Sequence, residues 1–378
     1  MPTRTSDRTT VQQYVKVFGD YPAVLARAPG RINIIGEHTD YNDGLVLPMS
    51  IERCVMAACG PSKGNTIRWY SDRYGCAEFD VKASDPYVGT RWTAYVAGVI
   101  AGIRDQGIQI PPLNIAITSD IPPGKGLASS AALEVAVALS ILEYVDVPLE
   151  PVVIANLCRE AENHYVGVPC GIMDQYAALF GICGHAVFID CMSRDFQHIP
   201  VDDSFVFVLY DSEKERALIS SGYSDRNREC REALAWFADR ETTILSFRDL
   251  EISRLFEHGG EIPEVLFRRT LHVLTENRRV LKTVSALNRR DDRTVGRLLF
   301  QSHRSLAHNF GVSTQSLDNL VKKARESRYI CGARLHGGGF GGYTINLIPQ
   351  KNVSQAHEIM GQNGIEVRSG KGAESWRI

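Results

Sequence analysis

The interpretation of this chain is decided by one stretch, Gly30-Arg31-Ile32-Asn33-Ile34-Ile35-Gly36-Glu37-His38-Thr39-Asp40-Tyr41. It begins as a small apolar strand with glycines and changes within four residues to Glu, His and Asp, followed by a turn at 42–44. Short polar side chains at the end of a strand can hold donors and acceptors in fixed positions, which suits a polyhydroxylated ligand. On these residues alone, a strand that runs into a polar hairpin is an equally good interpretation.

A second informative segment is rich in glycine: Asp120-Ile121-Pro122-Pro123-Gly124-Lys125-Gly126-Leu127-Ala128-Ser129-Ser130-Ala131-Ala132. It lies between a predicted strand at 113–117 and a predicted helix at 130–144. Free backbone N–H groups and the helix dipole at such a junction favour an anion, and the serine hydroxyls add donors. The spacing is not that of a Walker loop. A capped helix after a Pro-Gly turn is the alternative, but the glycine content favours a phosphate-binding loop.

A third segment, His336-Gly337-Gly338-Gly339-Phe340-Gly341-Gly342, formally contains Gly-x-Gly-x-x-Gly. A dinucleotide site requires a helix after these glycines. Here an alternating segment at 343–348 follows, which predicts a strand. The sequence therefore predicts a glycine-rich loop between two strands, where the backbone approaches another group closely.

Composition limits the class of protein. The chain has 378 residues, of which 44% are hydrophobic and 23% charged, with a net charge of −2. This length suits two domains, and the charge gives no reason to expect nucleic acid or a membrane as partner. The polar residues 1–10 do not resemble a secretory signal, and no apolar run is long enough to span a membrane. Nine cysteines without a Cys-x-x-Cys pair indicate reduced, mostly buried thiols in a cytoplasmic protein.

Strand and helix signals alternate in the first half, and helices dominate the second. We predict strands at 31–35, 55–59, 67–70, 113–117 and 186–190. We predict helices at 92–105, 130–144, 151–165, 172–180, 216–239, 264–288 and 313–328. This mixture predicts an α+β protein rather than a doubly wound parallel sheet.

Taken together, these motifs resemble those of the galactokinases, which are members of the GHMP small-molecule kinase superfamily. Two further matches are Cys170-Gly171-Ile172-Met173-Asp174-Gln175 and Ser220-Ser221-Gly222-Tyr223, and the similarity extends from about residue 28 to 347. The resemblance implies a two-lobed GHMP kinase fold, with a mixed-sheet N-terminal lobe (1–205), a helix-rich, ferredoxin-like C-terminal lobe (206–364) and the active site between them. It also implies that a tail at about 365–378 packs back on the N-terminal lobe.

The same resemblance implies roles for individual residues. The catalytic pair would be Asp174 and Arg31, and Mg²⁺ would be held by Ser130 and Glu162. The implied sugar ligands are Glu37, His38, Asp40, Gly171 and Tyr223. The implied ATP-binding residues are Gly124, Lys125, Gly126, Leu127, Ala128, Ser129, Ser130 and Ala131. Without the resemblance, Glu162 would be interpreted as a solvated helix residue and Asp174 as a favourable helix end.

The implied activity is transfer of the ATP γ-phosphate, with Mg²⁺, to the anomeric hydroxyl of galactose. A kinase of N-acetylgalactosamine, L-arabinose or a uronic acid, or an ATP- and sugar-binding sensor, remains an alternative. We expect a monomer whose partners are the sugar and ATP. The chain departs from the family at Lys125, which adds a charge to the phosphate loop, and at Ala128, which removes a hydroxyl. Lys125 would either strengthen ATP binding at low salt or point into solvent.

Overall fold

The chain folds into three β-sheets and eleven α-helices within the residues that the computed structural model describes, 5–83, 91–213 and 219–378. The strands are β1 (Val24–Asn33), β2 (Leu45–Val46), β3 (Pro48–Pro61), β4 (Thr66–Ser71), β5 (Gly75–Asp80), β6 (Leu113–Ser119), β7 (His185–Asp190), β8 (Phe196–Pro200), β9 (Phe205–Asp211), β10 (Gly332–Leu335), β11 (Tyr343–Pro349), β12 (Ile365–Val367) and β13 (Glu374–Arg377). The helices are α1 (Thr5–Phe18), α2 (Arg91–Asp105), α3 (Ser129–Val145), α4 (Pro151–Glu160), α5 (Met173–Phe180), α6 (Ile219–Ala238), α7 (Ile252–Glu257), α8 (Glu264–Asn288), α9 (Asp292–Ser305), α10 (Gln315–Glu326) and α11 (Val353–Met360).

The largest sheet has the strand order β13-β1-β3-β6-β4-β5, in which β1 lies between β13 and β3. Only the β4–β6 pair is parallel among these neighbours. Every residue of β1 is buried, because α3 covers one face of the sheet while α1 packs on the other. A strand buried on both faces shows no alternation of polar and apolar residues. For this reason the sequence predicts only 31–35 and misses most of β1.

The second half contributes a four-stranded sheet in the order β10-β11-β9-β12, in which all neighbours are antiparallel. Its glycine loop joins β10 to β11, which confirms the prediction of a loop between two strands. After β12 the chain crosses back to the first sheet, where β13 pairs with β1 (Val24 opposite Arg377). The lobe boundaries at 205 and 364 stay predictions.

Most predicted helices are present, with shifted ends. Helix α8 has the predicted bounds, whereas the helix predicted at 151–165 ends at Glu160 and continues as a π-helical turn, Ala161–Val166. The wider turn brings Glu162 into the interior, which corrects the view of Glu162 as a solvated residue. Residues 216–218 of the predicted helix 216–239 lie outside the described residues. Helices α1, α7, α9 and α11 were not predicted.

Two expectations from composition can be compared with the structure. All nine cysteines are free thiols, although Cys76 and Cys183 are exposed rather than buried. Within the described residues, no helix has both the length and the apolar character needed to cross a membrane.

Candidate active site

A loop with three left-handed residues leads into α3. The angle φ is 66° at Gly124, 81° at Gly126 and 57° at Ala128. Because these residues alternate with residues of negative φ, neighbouring backbone N–H groups can point to one side and form a concavity that suits an anion. Ala128 adopts this conformation despite its Cβ, at a cost of roughly 1–2 kcal/mol. Ser129 then begins α3, where the N–H groups of the first turn have no acceptor within the helix.

Arg31 connects this loop to β1 and to Asp174. Its backbone N–H donates to the Leu127 carbonyl at 3.0 Å, and its Nη1 donates to the Gly126 carbonyl at 2.5 Å. Its Nε and Nη2 donate to the two carboxylate oxygens of Asp174 at 2.8 and 2.9 Å. Burial raises the pKa of Asp174 above its ordinary value, although Arg31 opposes the rise. Burial is therefore the larger of the two effects on this pKa.

Further carboxylates lie close to Asp174. Glu162 is 7% exposed, and its pKa is raised to about 7 by burial and by Asp174, against the effect of a hydrogen bond with Ser130. Glu134 in α3 is fully buried, and burial together with Glu162 raises its pKa well above the ordinary value. The Gln175 amide Nε2 lies 3.4 Å from Glu134 Oε2 and 3.4 Å from Glu162 Oε2. Buried carboxylates that lie close together repel one another when they are ionised. A bound cation would reduce this repulsion, so such a group favours cation binding.

The protein alone supplies few ligands for a metal. Among the described residues, no group of three or more His, Cys, Asp and Glu side chains is placed to hold an ion. The hydroxyl of Ser130 and the carboxylate of Glu162 are the oxygen donors that Mg²⁺ prefers, and Mg²⁺ is commonly held by one or two carboxylates together with substrate phosphates and water. These residues therefore fit a magnesium ion that arrives with a nucleotide.

Glu37 is the buried anchor of the other half of the site. Arg334 Nη1 and Nη2 each donate to Glu37 Oε1 at 3.0 Å, and the Gly337 N–H donates to the same oxygen at 2.9 Å. Burial alone would raise the pKa of Glu37, but Arg334 and His336 together hold it well below its usual range. Glu37 is therefore a carboxylate acceptor held in one orientation by a buried arginine.

His38 has both ring nitrogens engaged within the protein. Its Nε2 lies 3.2 Å from the Gly338 carbonyl, which can only accept, and its Nδ1 lies 2.8 Å from the Tyr41 hydroxyl. These partners assign the proton to Nε2 and make Nδ1 an acceptor. Burial lowers the pKa of His38 to about 3, so the ring is neutral. His38 thus holds Tyr41 and the glycine loop at 336–342, and it also lines the cavity that contains Glu37. Its direct contact with a sugar stays a prediction.

Asp40, Gly171 and Tyr223 line the same cavity as Glu37. Burial and the nearby Asp174 raise the pKa of Asp40 to about 7. Gly171 packs so tightly against Asp40 that a Cβ at this position would lie 2.4 Å from Asp40 Oδ2. The ring of Tyr223 is 5.6 Å from that of His38, between centroids. Gly171 is therefore required by the close approach of Asp40.

Two cavities meet at the Arg31–Asp174 pair. The first has a volume of about 550 Å³ and contains the five predicted sugar ligands. The second has a volume of about 700 Å³ and is lined by the glycine loop and by the start of α3. Both are lined by Arg31, Glu162, Val168 and Asp174. Molecules bound in the two cavities would face each other across the partly buried Asp174 carboxylate and the Arg31 guanidinium.

Comparison with known proteins places this arrangement in a family. Three family models match: the galactokinase galactose-binding signature at residues 12–61, the GHMP kinases N-terminal domain at 94–182 and the GHMP kinases C-terminal domain at 283–366. A galactokinase of Roseiflexus sp. (strain RS-1) is 38% identical over 93% of this chain and 90% of its own length. The chain belongs to the galactokinase family. A galactokinase of Thermosipho africanus is 41% identical over 88% of this chain and 92% of its own length.

Solved structures show the same relationship. The crystal structure of Lactococcus lactis galactokinase complexed with galactose superimposes with a TM-score of 0.92 at 31% identity, over 98% of this chain and 100% of that one. The mevalonate kinase of Methanococcus jannaschii has a TM-score of 0.67 at 16% identity, over 92% of this chain and 98% of that one. The galactokinase-family chain therefore has the GHMP kinase fold, as the motifs predicted.

In the galactokinase-family chain, Lys125 is paired within the protein, and its effect on ATP binding stays a prediction. Lys125 Nζ lies 2.5 Å from Asp211 Oδ2, at the end of β9, and 5.7 Å from the centroid of the Tyr343 ring. The two charged side chains are 31% and 28% exposed. The extra ammonium on the phosphate loop is thus compensated by a carboxylate from the other half of the chain.

Sequence reasoning also missed two aromatic residues of the second cavity. Tyr74 and Trp92 line it, and their rings stack with centroids 5.8 Å apart at an interplanar angle of 24°. Neither belongs to a glycine motif, and they lie 18 positions apart on either side of undescribed residues, so the pair is formed only by the fold. The signal available in the sequence was an aromatic residue, Trp92, at the first position of the predicted helix 92–105.

Proposed function

We propose that this chain transfers the γ-phosphoryl group of ATP to the anomeric hydroxyl of galactose and releases galactose 1-phosphate and ADP. The observation that carries the proposal is that the cavity of the galactose-binding signature and the cavity of the glycine loop share Arg31 and Asp174. A phosphoryl transfer needs an acceptor and a donor in line, charge stabilisation and a group that takes the proton. The two adjoining cavities would bring acceptor and donor together. Arg31 would stabilise charge, and Asp174 would take the proton.

Asp174 is the proposed proton acceptor. The anomeric oxygen forms a bond to the γ-phosphorus, the bond from that phosphorus to the β,γ-bridging oxygen breaks, and the hydroxyl proton passes to the Asp174 carboxylate. The raised pKa of Asp174 favours proton uptake. Arg31 holds this carboxylate through two hydrogen bonds and places positive charge beside the group in transfer.

The remaining contacts follow from the linings of the two cavities. Glu37, Asp40, Gly171 and Tyr223 are the proposed sugar contacts, with His38 positioning them. The backbone of 124–131 and the serine hydroxyls are proposed to hold the phosphates, and Tyr74 and Trp92 to contact the adenine. Ser130 and Glu162 would hold Mg²⁺, which would neutralise phosphate charge when bound. Glu134 and Gln175 support the position of the Glu162 carboxylate.

A panel of free sugars tests the proposal. The protein would be incubated with ATP, Mg²⁺ and galactose, glucose, N-acetylgalactosamine, L-arabinose or galacturonic acid, and products would be identified by ³¹P and ¹³C NMR. We expect galactose 1-phosphate as the main product. Phosphate on another hydroxyl, or turnover of a different sugar with none from galactose, would contradict the proposal.

Omission of Mg²⁺ should abolish turnover. The expected monomeric state would be measured by sedimentation, and the expected cytoplasmic location by cell fractionation.

A further inference from the structure

Four arginines surround a cavity that shares no described residue with the two cavities of the candidate active site. Arg293, Arg297 and Arg304 come from α9, and Arg325 comes from α10. The spacing of 4 and 11 residues places the first three on one face of α9. All four side chains are exposed, and the cavity has a volume of about 330 Å³.

The charge of this pocket is not balanced by neighbouring carboxylates. In the described part of the chain, none of the four arginines forms an ion pair. Arg325 lies over the Phe300 ring at 5.0 Å, and Arg297 Nη2 donates to the Thr294 hydroxyl at 3.3 Å. Four guanidinium groups around one concavity repel one another, and an anion bound between them would relieve that repulsion.

The acids closest in sequence have other partners. Asp318 Oδ1 lies 3.2 Å from His303 Nε2, and Glu326 lies 3.9 Å from Lys322. Two carboxylates lie beside the pocket. Asp292 Oδ2 lies 3.9 Å from Cys331 Sγ, and Asp291, whose Oδ1 accepts from the Thr294 N–H at 3.0 Å, is close enough to Arg297 for their charges to attract. Two carboxylates beside four arginines still leave an excess of positive charge.

The opposite face of α9 is held firmly. Ser302 Oγ donates to Glu276 Oε1 at 2.6 Å, and His303 Nδ1 accepts from the Leu335 N–H at 3.2 Å. A Cβ on Gly332 would lie 2.3 Å from the Gly296 Cα, so α9 and β10 pack with almost no space between their backbones. The arginines therefore project from a rigid element, which lowers the entropy lost when a ligand is bound.

We propose that this pocket binds a small molecule carrying at least two phosphate groups, at a site separate from the active site. The planar guanidinium presents paired N–H donors that match phosphate oxygens, and several guanidiniums suit more than one phosphate. The volume is that of a small-ligand site. The arginines converge on one concavity, and the net charge of the chain is −2. Both observations favour a small ligand over an extended polyanion or a membrane surface.

Inorganic pyrophosphate is the probe for this site. It would be titrated by calorimetry into the wild-type protein, into Arg297→Gln/Arg304→Gln and into Arg228→Gln/Arg268→Gln, in Mg²⁺-free buffer at constant ionic strength. The last variant is a matched control, because Arg228 and Arg268 are exposed but already paired with glutamates. Any binding at the glycine loop is common to all three proteins.

We expect the first variant to bind one pyrophosphate fewer than wild type and control, or to bind it at least about tenfold more weakly at that site. Unchanged turnover of galactose would show that the variant is folded. Identical number and affinity in all three proteins would overturn the proposal. Tighter binding of a single-stranded oligonucleotide or of phosphatidylserine vesicles than of pyrophosphate, dependent on the same arginines, would overturn the small-molecule assignment.

Discussion

Asp174 is the residue whose charge matters most to the proposed reaction. In Asp174→Asn the shape is kept while the negative charge and the proton acceptor are lost. We expect kcat to fall by at least about a hundredfold, the ordinary size of general-base or electrostatic assistance. Galactose binding, measured by calorimetry, should change only a few-fold. Near wild-type turnover would show that another group takes the proton, and the exposed Asp225→Asn serves as control.

Lys125 should contribute little to ATP affinity, because Asp211 already compensates its charge. In Lys125→Ala we expect the KM for ATP to change less than about threefold at both low and high salt, as is usual for a partly exposed pair. In Asp211→Asn the ammonium is released, and the KM for ATP should fall, more at low salt than at high salt. A salt-dependent rise of KM in Lys125→Ala would instead place the ammonium on the phosphates.

Asp40 should make the ligand-free protein less stable as pH rises from about 4 to about 7. Its folded pKa is raised to about 7, whereas an unfolded aspartate titrates near about 4. Between these values the folded state binds the extra proton, so deprotonation favours unfolding. Between pH 5 and 7.5, wild type should lose more unfolding free energy than Asp40→Asn, by up to a few kcal/mol, since one pKa unit is about 1.4 kcal/mol. Equal losses in urea titrations would contradict the raised pKa.

At the scale of elements, the segment before α5 must pass close to the turn after β1. In Gly171→Ala the new methyl group would meet Asp40 Oδ2 at 2.4 Å and the Asp40 backbone carbon at 2.8 Å. We expect the KM for galactose to rise at least about tenfold, with a loss of roughly 1–3 kcal/mol in unfolding free energy from overpacking.

The matched control for this change is Gly260→Ala. A Cβ at Gly260 would meet nothing within 4 Å, so neither KM nor stability should change measurably. If Gly171→Ala binds galactose as wild type does, the close packing of Asp40 is not needed for sugar binding.

At the scale of the whole molecule, Arg334 joins the two halves of the chain. It is fully buried in β10, and its Nε donates to the Ile34 carbonyl at 2.8 Å while both Nη groups donate to Glu37. In Arg334→Met the Glu37 carboxylate stays buried without its main partner. We expect a loss of roughly 3–5 kcal/mol in unfolding free energy.

A double-mutant cycle separates the pair from general packing. Because Glu37→Gln removes the unpaired charge, Arg334→Met/Glu37→Gln should be more stable than Arg334→Met alone. Urea denaturation of the four proteins measures the coupling. Strictly additive losses would mean that Arg334 stabilises through its contacts with the backbone rather than through Glu37.

Much of the site was predictable, because its parts are short local motifs. The glycine loop, the Ser129–Ser130 pair and Asp174 each lie in a contiguous segment with a distinctive pattern. Glu134 was missed although it lies beside these serines, since an acid in an apolar helix shows its role only once Gln175 and Glu162 surround it. Arg334 was missed for the same reason. An arginine within a short apolar strand indicates a buried partner, but the sequence does not show which residue that partner is.

The sequence by itself determined the α+β class, the helix α8, the glycine loop between β10 and β11 and the family, because these depend on patterns among neighbouring residues. Only the tertiary structure decided that Arg31 meets Asp174, that Asp211 neutralises Lys125 and that the two ring nitrogens of His38 contact Tyr41 and Gly338. The same holds for the raised pKa values of Asp40 and Glu162. Each of these depends on burial and on distances of a few ångströms between residues that the chain brings together only on folding.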